Sequence, residues 1–177
     1  GNPPPKDIRI NAGGASQKLD GNSWWAETIS EYSTFLNAGT STTYNSPGAP
    51  VSGTPYPELY RSGRSGEAFS YIIPMSNGTY KLRLHFAELD PAIVNNQFSV
   101  TAEGVSILNN FNIRSTAVAN AALVFETNVV IANGAMDLSF NAVGGNVAKV
   151  SAIEILPVTS YNPGNGFPAI PTQLRDN

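Results

Sequence analysis

An alternation of apolar and polar side chains over residues 80–88 constrains the fold more than any other feature of the sequence. One set of side chains is apolar and the other is charged or titratable: Tyr80, Leu82, Leu84 and Phe86 alternate with Lys81, Arg83 and His85. A period of two is that of a β-strand, because successive side chains on a strand point to opposite faces. We therefore predict a strand with one apolar face and one solvated or functional face.

Two Asn-Gly dipeptides mark turns between segments of this kind. Asn and Gly tolerate the positive φ that a tight turn needs, so Asn77-Gly78 predicts that residues 69–74 and 80–88 pair as a hairpin. Asn133-Gly134 separates two further alternating segments, 123–131 and 136–140. The remaining predicted strands end at Gly, Asn or Pro and cover residues 8–12, 97–101, 105–108 and 150–156.

The sequence indicates one all-β domain. Short strands with turns at close intervals favour an antiparallel β-sandwich or barrel, and residues 23–36 are expected to hold at most one or two helical turns. The length of 177 residues suits a single domain with a core of its own. We place the folded domain at 8–157 and linkers to other modules at 1–7 and 158–177, where Pro, Gly and Asn are frequent.

The composition and net charge of the chain exclude several classes of function. Ten Lys and Arg against thirteen Asp and Glu give a net charge of −3, so no basic surface for nucleic acid is expected. No apolar run approaches the roughly 20 residues of a membrane span, so membrane insertion is not expected. The absence of cysteine and the single histidine exclude disulfides, thiolate chemistry and metal sites built on several imidazoles. Polarity comes instead from Gly, Ser, Thr and Asn, a composition typical of secreted or cell-surface β-proteins.

Catalysis is not the favoured interpretation. Glu88 and Asp90 lie two residues apart at a strand end, where such a pair is more often a ligand-binding or solvated edge than a catalytic pair. His85 is most simply structural, because no Gly-x-Ser-x-Gly motif supplies a nucleophile. No cofactor is predicted; oxygen ligands for a structural calcium are plentiful, but no Asp-x-Asp-x-Asp run allows such a site to be inferred. We therefore predict that the domain is not an enzyme; an enzyme would need a carboxylate pair assembled by the fold.

Aromatic residues are concentrated in the long segment 14–65, which we predict to be loop-like and functional. Sugars stack their apolar C–H faces on such rings, while polar side chains bind the hydroxyl groups. The other interpretation is that most of these rings simply close the end of the sandwich. The rings are those of Trp24, Trp25, Tyr32, Tyr44, Tyr56 and Tyr60.

A series of short motifs, in order and at matching spacing, resembles the malectin family. They run from Ile10-Asn11-Ala12-Gly13-Gly14 through Asp20-Gly21-Asn22-Ser23-Trp24, Leu59-Tyr60-Arg61-Ser62-Gly63-Arg64, Asn77-Gly78-Thr79-Tyr80 and Leu84-His85-Phe86-Ala87-Glu88 to Lys149-Val150-Ser151-Ala152-Ile153-Glu154-Ile155. The resemblance covers about residues 10–156. It implies a β-sandwich of the jelly-roll type and a carbohydrate-binding role. The family's founding member binds a glucose disaccharide on glycans, and bacterial relatives are accessory modules beside glycan-degrading enzymes.

The same resemblance implies a set of ligand-binding positions. Tyr44 corresponds to the family's first ligand tyrosine, but Ser65 stands where a second tyrosine usually lies. Asp90-Pro91 replaces an aromatic pair, and Asn146 stands near a ligand aspartate. Because each lost ring removes on the order of 1 kcal/mol of contact, we expect the glucose disaccharide to bind weakly.

Other residues of the domain are expected to rebuild a sugar-binding surface. The candidate stacking residues are Trp24, Trp25, Tyr44 and Tyr56, and the candidate polar partners are Arg64, Glu88, Asp90 and Asn146. We predict a non-catalytic carbohydrate-binding module of a larger secreted or surface protein, accessory to a glycan-active enzyme. Its partners are an oligo- or polysaccharide and other modules of the same polypeptide. The alternative is a malectin-like spacer, adhesin or protein-interaction domain that does not bind sugar.

Overall fold

A computed structural model describes residues 6–27 and 35–158 of the chain. Tyr32 and most of the two predicted linkers lie outside the described residues. Within these ranges the chain is almost entirely β-structure, with two short 3-10 helices at Pro57–Tyr60 and Ile113–Ser115. The strands are β1 Ile8–Asn11, β2 Gln17–Leu19, β3 Asn22–Ala26, β4 Leu36–Asn37, β5 Ser41–Asn45, β6 Ser62–Gly66, β7 Ala68–Pro74, β8 Gly78–Phe86, β9 Phe98–Ala102, β10 Val105–Phe111, β11 Leu123–Ile131, β12 Ala135–Ala142, β13 Ala148–Val150 and β14 Ala152–Pro157.

Two sheets pack face to face and form the β-sandwich that the sequence predicted. One has the order β11-β8-β14-β1-β3-β2, and the other has the order β10-β9-β12-β7-β4. Pairing is antiparallel except between β1 and β3, which are parallel. The core lies between the sheets and is rich in aromatic rings; the rings of Phe69 and Phe140, for example, stack with centroids 4.8 Å apart.

Every segment that the sequence predicted as a strand contains one, but the predicted hairpin is wrong. β7 pairs with β12 and β4, whereas β8 pairs with β11 and β14. The turn at Asn77-Gly78 therefore crosses from one sheet to the other, and Asn133-Gly134 makes the same crossing between β11 and β12. The two crossings lie side by side, since the Gly134 N–H donates to Asn77 Oδ1 at 2.8 Å. The strands joined by each crossing, β7 with β8 and β11 with β12, therefore belong to opposite sheets.

The segment 14–65 is more ordered than the predicted loop. It contains β2 to β6 and the 3-10 helix Pro57–Tyr60. The described parts of the expected helical turn, residues 23–27 and 35–36, belong mostly to β3 and β4. Part of this segment covers the outer face of the six-stranded sheet. A second apolar cluster forms there around Trp24, Leu59 and Tyr60. The face of β8 that we expected to be solvated is therefore buried, and His85 is fully inaccessible.

Beneath this cover, charged side chains form a row across four neighbouring strands. Glu126, Arg83, Glu154 and Arg9 stand opposite one another on β11, β8, β14 and β1, so that acidic and basic groups alternate. Arg9 Nε and Arg83 Nε lie 3.2 and 3.3 Å from the two Glu154 oxygens. All four side chains are buried. The alternation matters because a buried charge without a partner of opposite sign costs several kcal/mol.

His85 joins this row to the covering segment. Its Nε2 lies 2.8 Å from Glu154 Oε1, and its Nδ1 lies 2.7 Å from the Tyr60 hydroxyl. Because a carboxylate can only accept, the Nε2–H donates to Glu154 and Nδ1 accepts from Tyr60. Trp24 packs edge-on against the same ring, with centroids 5.4 Å apart. Burial lowers the pKa of His85 below its ordinary value of 6.5.

This lowered pKa predicts a loss of stability on mild acidification. The unfolded chain, with His85 at its ordinary pKa of 6.5, binds the proton more tightly than the folded chain. The contribution of His85 is therefore present above pH 6.5 and is lost as the pH falls from 6.5 toward the folded pKa, at no more than about 1.4 kcal/mol per pH unit. Urea unfolding at pH 7.5 and 5.5 measures this, because the chain has no other histidine.

The variant His85→Gln is the control for this prediction. It should be less stable at pH 7.5 but should show a flatter pH dependence between 7.5 and 5.5. If the variant does not fold, NMR titration of the single imidazole in the native protein gives the folded pKa directly. A free energy of unfolding that does not change over this range in the native protein, or an imidazole pKa at or above 6.5, would contradict the prediction.

Candidate functional site

A third, three-stranded sheet lies where β8 ends and β14 begins. Its order is β13-β6-β5, and its register pairs Ser65 with both Thr42 and Lys149, and Tyr44 with Gly63. Residues that pair directly across strands share a face, as do residues two apart on one strand. Thr42, Tyr44, Ser65 and Lys149 therefore project from one face of this sheet. That face is one wall of a groove.

The opposite wall is the chain that follows β8. The groove between the two walls has a volume of about 360 Å³, within the range of small-ligand sites. We call it the Tyr44 groove. Its lining residues are Tyr44, Ser46, Ser65, Ala87, Glu88, Leu89, Asp90, Ile93, Val147 and Lys149.

An ion pair lies within the lining of the Tyr44 groove. Lys149 Nζ lies 2.9 Å from Glu88 Oε1, and both side chains are buried. The second Glu88 oxygen accepts the backbone N–H of Asp90 at 3.3 Å. The pair therefore places a fixed carboxylate and a fixed ammonium group side by side, so that acceptor and donor positions adjoin.

The Tyr44 hydroxyl occupies space that is open only because Gly63 has no side chain. A methyl group on Gly63 would lie against the Tyr44 hydroxyl and 2.6 Å from the carbonyl oxygen of Val150. The ring is half-buried. Burial of the hydroxyl, with the nearby Glu88 carboxylate adding to the effect, raises the pKa of Tyr44 to about 12. Tyr44 therefore keeps its proton at neutral pH.

Asp90 lies at the rim of the groove on a short, well-tethered loop. Its Oδ1 accepts the N–H of Ala92 at 3.0 Å, which fixes the start of the loop as an Asx turn. Arg114 Nη1 donates to the carbonyl oxygens of Pro91 and Ile93, both at 3.2 Å. The Asp90 side chain is exposed. A carboxylate is thus presented to solvent from a loop that is fixed on both sides of it.

Asn146 lines an adjoining groove of about 400 Å³, which shares Ile93 and Val147 with the Tyr44 groove. The structure therefore brings together Tyr44, Glu88 and Asp90, with Asn146 nearby. Lys149, which supplies the only basic side chain of the lining, was not among the predicted site residues. The signal that could have revealed it is a charged residue inside the otherwise apolar strand β13.

The structure places the remaining predicted residues elsewhere. Trp24 is fully buried in the cluster over the six-stranded sheet, and Tyr56 packs at the edge of that cluster. Arg64 points to the other side of its sheet, where Nη2 lies 2.6 Å from Glu27 Oε1. Trp25 lies on the edge region of the six-stranded sheet and is 41% exposed. None of these four side chains lines the Tyr44 groove.

A further groove of about 340 Å³ borders the opposite face of the three-stranded sheet. Its lining mixes polar and apolar groups and contains no aromatic ring: Asn11, Gly14, Ala15, Gln17, Asn45, Pro47, Gly48, Glu58, Arg61 and Ser62. Without a ring it offers no stacking surface for a sugar.

Two other kinds of site are absent from the part of the chain that the structure describes. Over residues 6–27 and 35–158, no three His, Asp or Glu side chains are grouped so that they could hold a metal ion. In the same ranges, no helix has the length and apolar character needed to span a membrane.

Comparison with protein families identifies the domain. The model of the malectin domain matches residues 6–155. The chain belongs to the malectin family. Two Arabidopsis thaliana proteins, Probable receptor-like protein kinase At5g39020 and Probable receptor-like protein kinase At5g38990, are each 30% identical over 92% of this chain. The matches cover 21% and 19% of those proteins, so the chain spans about a fifth of the length of these relatives.

Solved structures share the fold of this malectin domain. The ANXUR1 extracellular domain from Arabidopsis thaliana aligns with a TM-score of 0.69 and 17% identity, covering 84% of this chain and 47% of that chain. The structure of the plant peptide RALF23 in complex with FER and LLG2 aligns with a TM-score of 0.73 and 18% identity, covering 93% of this chain and 52% of the matched chain. A Bacteroides uniformis β-glucuronidase aligns with a TM-score of 0.73 and 13% identity, covering 86% of this chain and 18% of that chain. The predicted extracellular or cell-surface location agrees with the extracellular domains among these matches.

Three of the family positions meet in the Tyr44 groove, and the fourth, Asn146, lines the adjoining groove. Tyr44, Ser65 and Asp90, which the sequence resemblance singled out separately, all line the Tyr44 groove of the malectin domain. The groove therefore retains one ring of the family pattern and carries a hydroxyl and a carboxylate where rings usually stand. Its walls are more polar than the family pattern implies.

The fit of Tyr44 against Gly63 gives a prediction about stability. Gly63→Ala should lower the free energy of unfolding by about 1–3 kcal/mol, because the new methyl group overpacks the Tyr44 hydroxyl and the Val150 carbonyl. Chemical denaturation measures the change. Gly145→Ala is the matched control, since nothing lies within 4 Å of a methyl group placed there. Equal stability of Gly63→Ala and the native protein would show that the hydroxyl is not confined as described.

Proposed function

We propose that this malectin domain is a non-catalytic module that binds an oligo- or polysaccharide in the Tyr44 groove. The observation that carries the proposal is the half-buried Tyr44 ring in the same groove as the Glu88–Lys149 pair. An aromatic ring accepts the apolar C–H face of a pyranose, and the polar groups beside it accept and donate hydrogen bonds to its hydroxyls.

The ion pair suits vicinal hydroxyl groups in particular. Each sugar hydroxyl is both a donor and an acceptor. A hydroxyl near the pair can donate to the Glu88 carboxylate while its neighbour accepts from the Lys149 ammonium group, which has two N–H groups beyond the one directed at Glu88. Ser46 and Ser65 add hydroxyls that can serve either role. The pair also commits the Glu88 carboxylate to Lys149, which supports binding rather than acid catalysis.

The affinity of such a site is expected to be modest. A sugar held by one ring lacks the second stacking contact that the replaced positions, Ser65 and Asp90, would have supplied. Each such contact is worth on the order of 1 kcal/mol. We therefore propose that the domain acts within a larger secreted or cell-surface protein, where a tether raises its effective concentration. The matches inside receptor-like kinases and a β-glucuronidase, each much longer than this chain, support this arrangement.

A protein-interaction role is the second candidate function. It is favoured by the similarity to the structure of the peptide RALF23 with FER and LLG2. A screen of the isolated domain on a glycan array, with hits titrated by calorimetry, distinguishes the two candidates. Binding to a defined glycan supports the first, and silence from folded protein across the array supports the second.

The ring of Tyr44 should dominate sugar binding. Tyr44→Ala should weaken the affinity for any glycan hit about tenfold or more, since about 1.4 kcal/mol of stacking corresponds to a factor of ten. Tyr44→Phe keeps the ring and should retain most of the affinity. Trp25→Ala, which removes an exposed ring away from the groove, should change the affinity less than twofold. Calorimetry on variants whose melting temperature has been checked provides the measurement.

The pattern across these variants decides between the two rings. Unchanged affinity in Tyr44→Ala, or a loss in Trp25→Ala as large as that in Tyr44→Ala, would place the site elsewhere on the domain.

A further inference from the structure

The lining of the Tyr44 groove carries one carboxylate that is not balanced by a cation. Glu88 and Lys149 neutralise each other at 2.9 Å. Among the described residues, no Lys, Arg or His nitrogen forms an ion pair with Asp90. The charged side chains of the lining are these three alone, so the groove has a net charge of about −1 at neutral pH.

The position of this charge is fixed by the backbone around it. The Asp90 N–H is bonded to Glu88 Oε2, and Asp90 Oδ1 is bonded to the Ala92 N–H. Arg114, the basic side chain attached to this loop, donates through Nη1 to the Pro91 and Ile93 carbonyl oxygens. Asp90 therefore cannot readily turn away from a ligand at the rim. Its Oδ2 remains available to accept a hydrogen bond.

We propose that Asp90 makes the Tyr44 groove selective for neutral sugars over acidic ones, an inference that rests on the proposed function. A neutral sugar can donate a hydroxyl hydrogen bond to Oδ2, and a hydrogen bond to a charged acceptor is stronger than one between neutral groups. A uronic acid or sulfated sugar brings a second negative charge to the same rim. Like charges juxtaposed at a binding surface lower affinity and discriminate against the wrong partner.

The inference concerns a replaced position of the family pattern. Asp90 stands where the sequence resemblance placed an aromatic residue. The exchange removes a stacking surface, which discriminates little between neutral and charged sugars. It introduces a carboxylate, which disfavours a negatively charged sugar. The groove therefore loses part of its general affinity for sugar and gains a basis for choosing among sugars.

Matched pairs of oligosaccharides test this selectivity. Gluco-, galacto- and manno-oligosaccharides are each titrated against the corresponding uronic acid oligomers, which differ only in having a carboxylate in place of the C6 hydroxymethyl group. In 20 mM NaCl the native domain should bind at least one neutral oligomer about tenfold or more tightly than its acidic counterpart. In 300 mM NaCl the difference should shrink, because salt screens charges at an exposed rim.

Asp90→Asn is the decisive variant. Asparagine keeps the oxygen that accepts the Ala92 N–H but removes the charge, so the loop is retained while the discrimination against the acidic oligomer should fall to less than about threefold. Asp137→Asn is the matched control. It makes the same change in net charge at an exposed position of β12 outside the groove, and it should leave the discrimination unchanged.

The outcomes separate this inference from the function on which it rests. Equal or tighter binding of the acidic oligomers by the native domain would overturn the selectivity but leave sugar binding intact. Discrimination that survives in Asp90→Asn, or that falls equally in Asp137→Asn, would show that Asp90 is not its source. If neither the neutral nor the acidic oligomers bind, and the glycan array is silent, the proposed function and the selectivity fall together.

Discussion

The ion pairs and hydrogen bonds of Glu154 are the interactions on which the arrangement of this domain depends. Its two oxygens are shared among Arg9, Arg83 and His85, and His85 in turn holds Tyr60. Burial alone would raise the pKa of Glu154, but the hydrogen bond from His85 and the charges of the two arginines hold it below its ordinary value. Both walls of the Tyr44 groove start from this cluster: the chain leaves Tyr60 to enter β6, and it leaves β8 just after His85 to form the opposite wall. A buried ionic network thus aligns two segments that are distant in sequence.

The sequence was informative about strands and much less so about their partners. Alternation identifies a strand with one buried face, because the period of a strand is two, and each predicted segment holds a strand. Alternation does not say which sheet a strand joins. Asn77-Gly78 has the composition of a hairpin turn, yet the same residues form a crossing between sheets, because the apolar faces of β7 and β8 are buried equally well across the core.

The burial of the polar face of β8 could not be predicted from the strand pattern either. Arg83 and His85 have the residue types of a solvated face, and they are buried only because a segment distant in sequence covers them.

The sequence located those residues of the candidate site that follow from the strand pattern or from the family resemblance. Glu88 and Asp90 were expected at the end of a strand and are found there, and Tyr44 came from the family resemblance. Trp24 and Arg64 were chosen by residue type, yet Trp24 seals the cover over the sheet and Arg64 binds Glu27. A large ring and a guanidinium group are as useful inside a sandwich as at a ligand, so residue type alone cannot separate the two roles. Lys149 stands out as a charged residue in the apolar strand β13, but its pairing with Glu88 could not be predicted, because the two residues are 61 positions apart in the sequence.

A groove with one ring and three charged side chains is consistent with a domain that works as part of a larger chain. Stacking surfaces raise affinity for many sugars alike, whereas fixed charges and hydrogen-bonding groups distinguish among them. At the proposed sugar site, Ser65 and Asp90 in place of rings would lower the affinity for sugars in general and raise the selectivity among them. An isolated protein would lose function in that exchange, but a tethered module does not depend on tight binding, because its effective concentration near the target reaches the millimolar range with a short linker. The proposed weak binding is compatible with a well-defined groove, since the buried ionic network lies outside the lining of the groove and does not depend on a ligand.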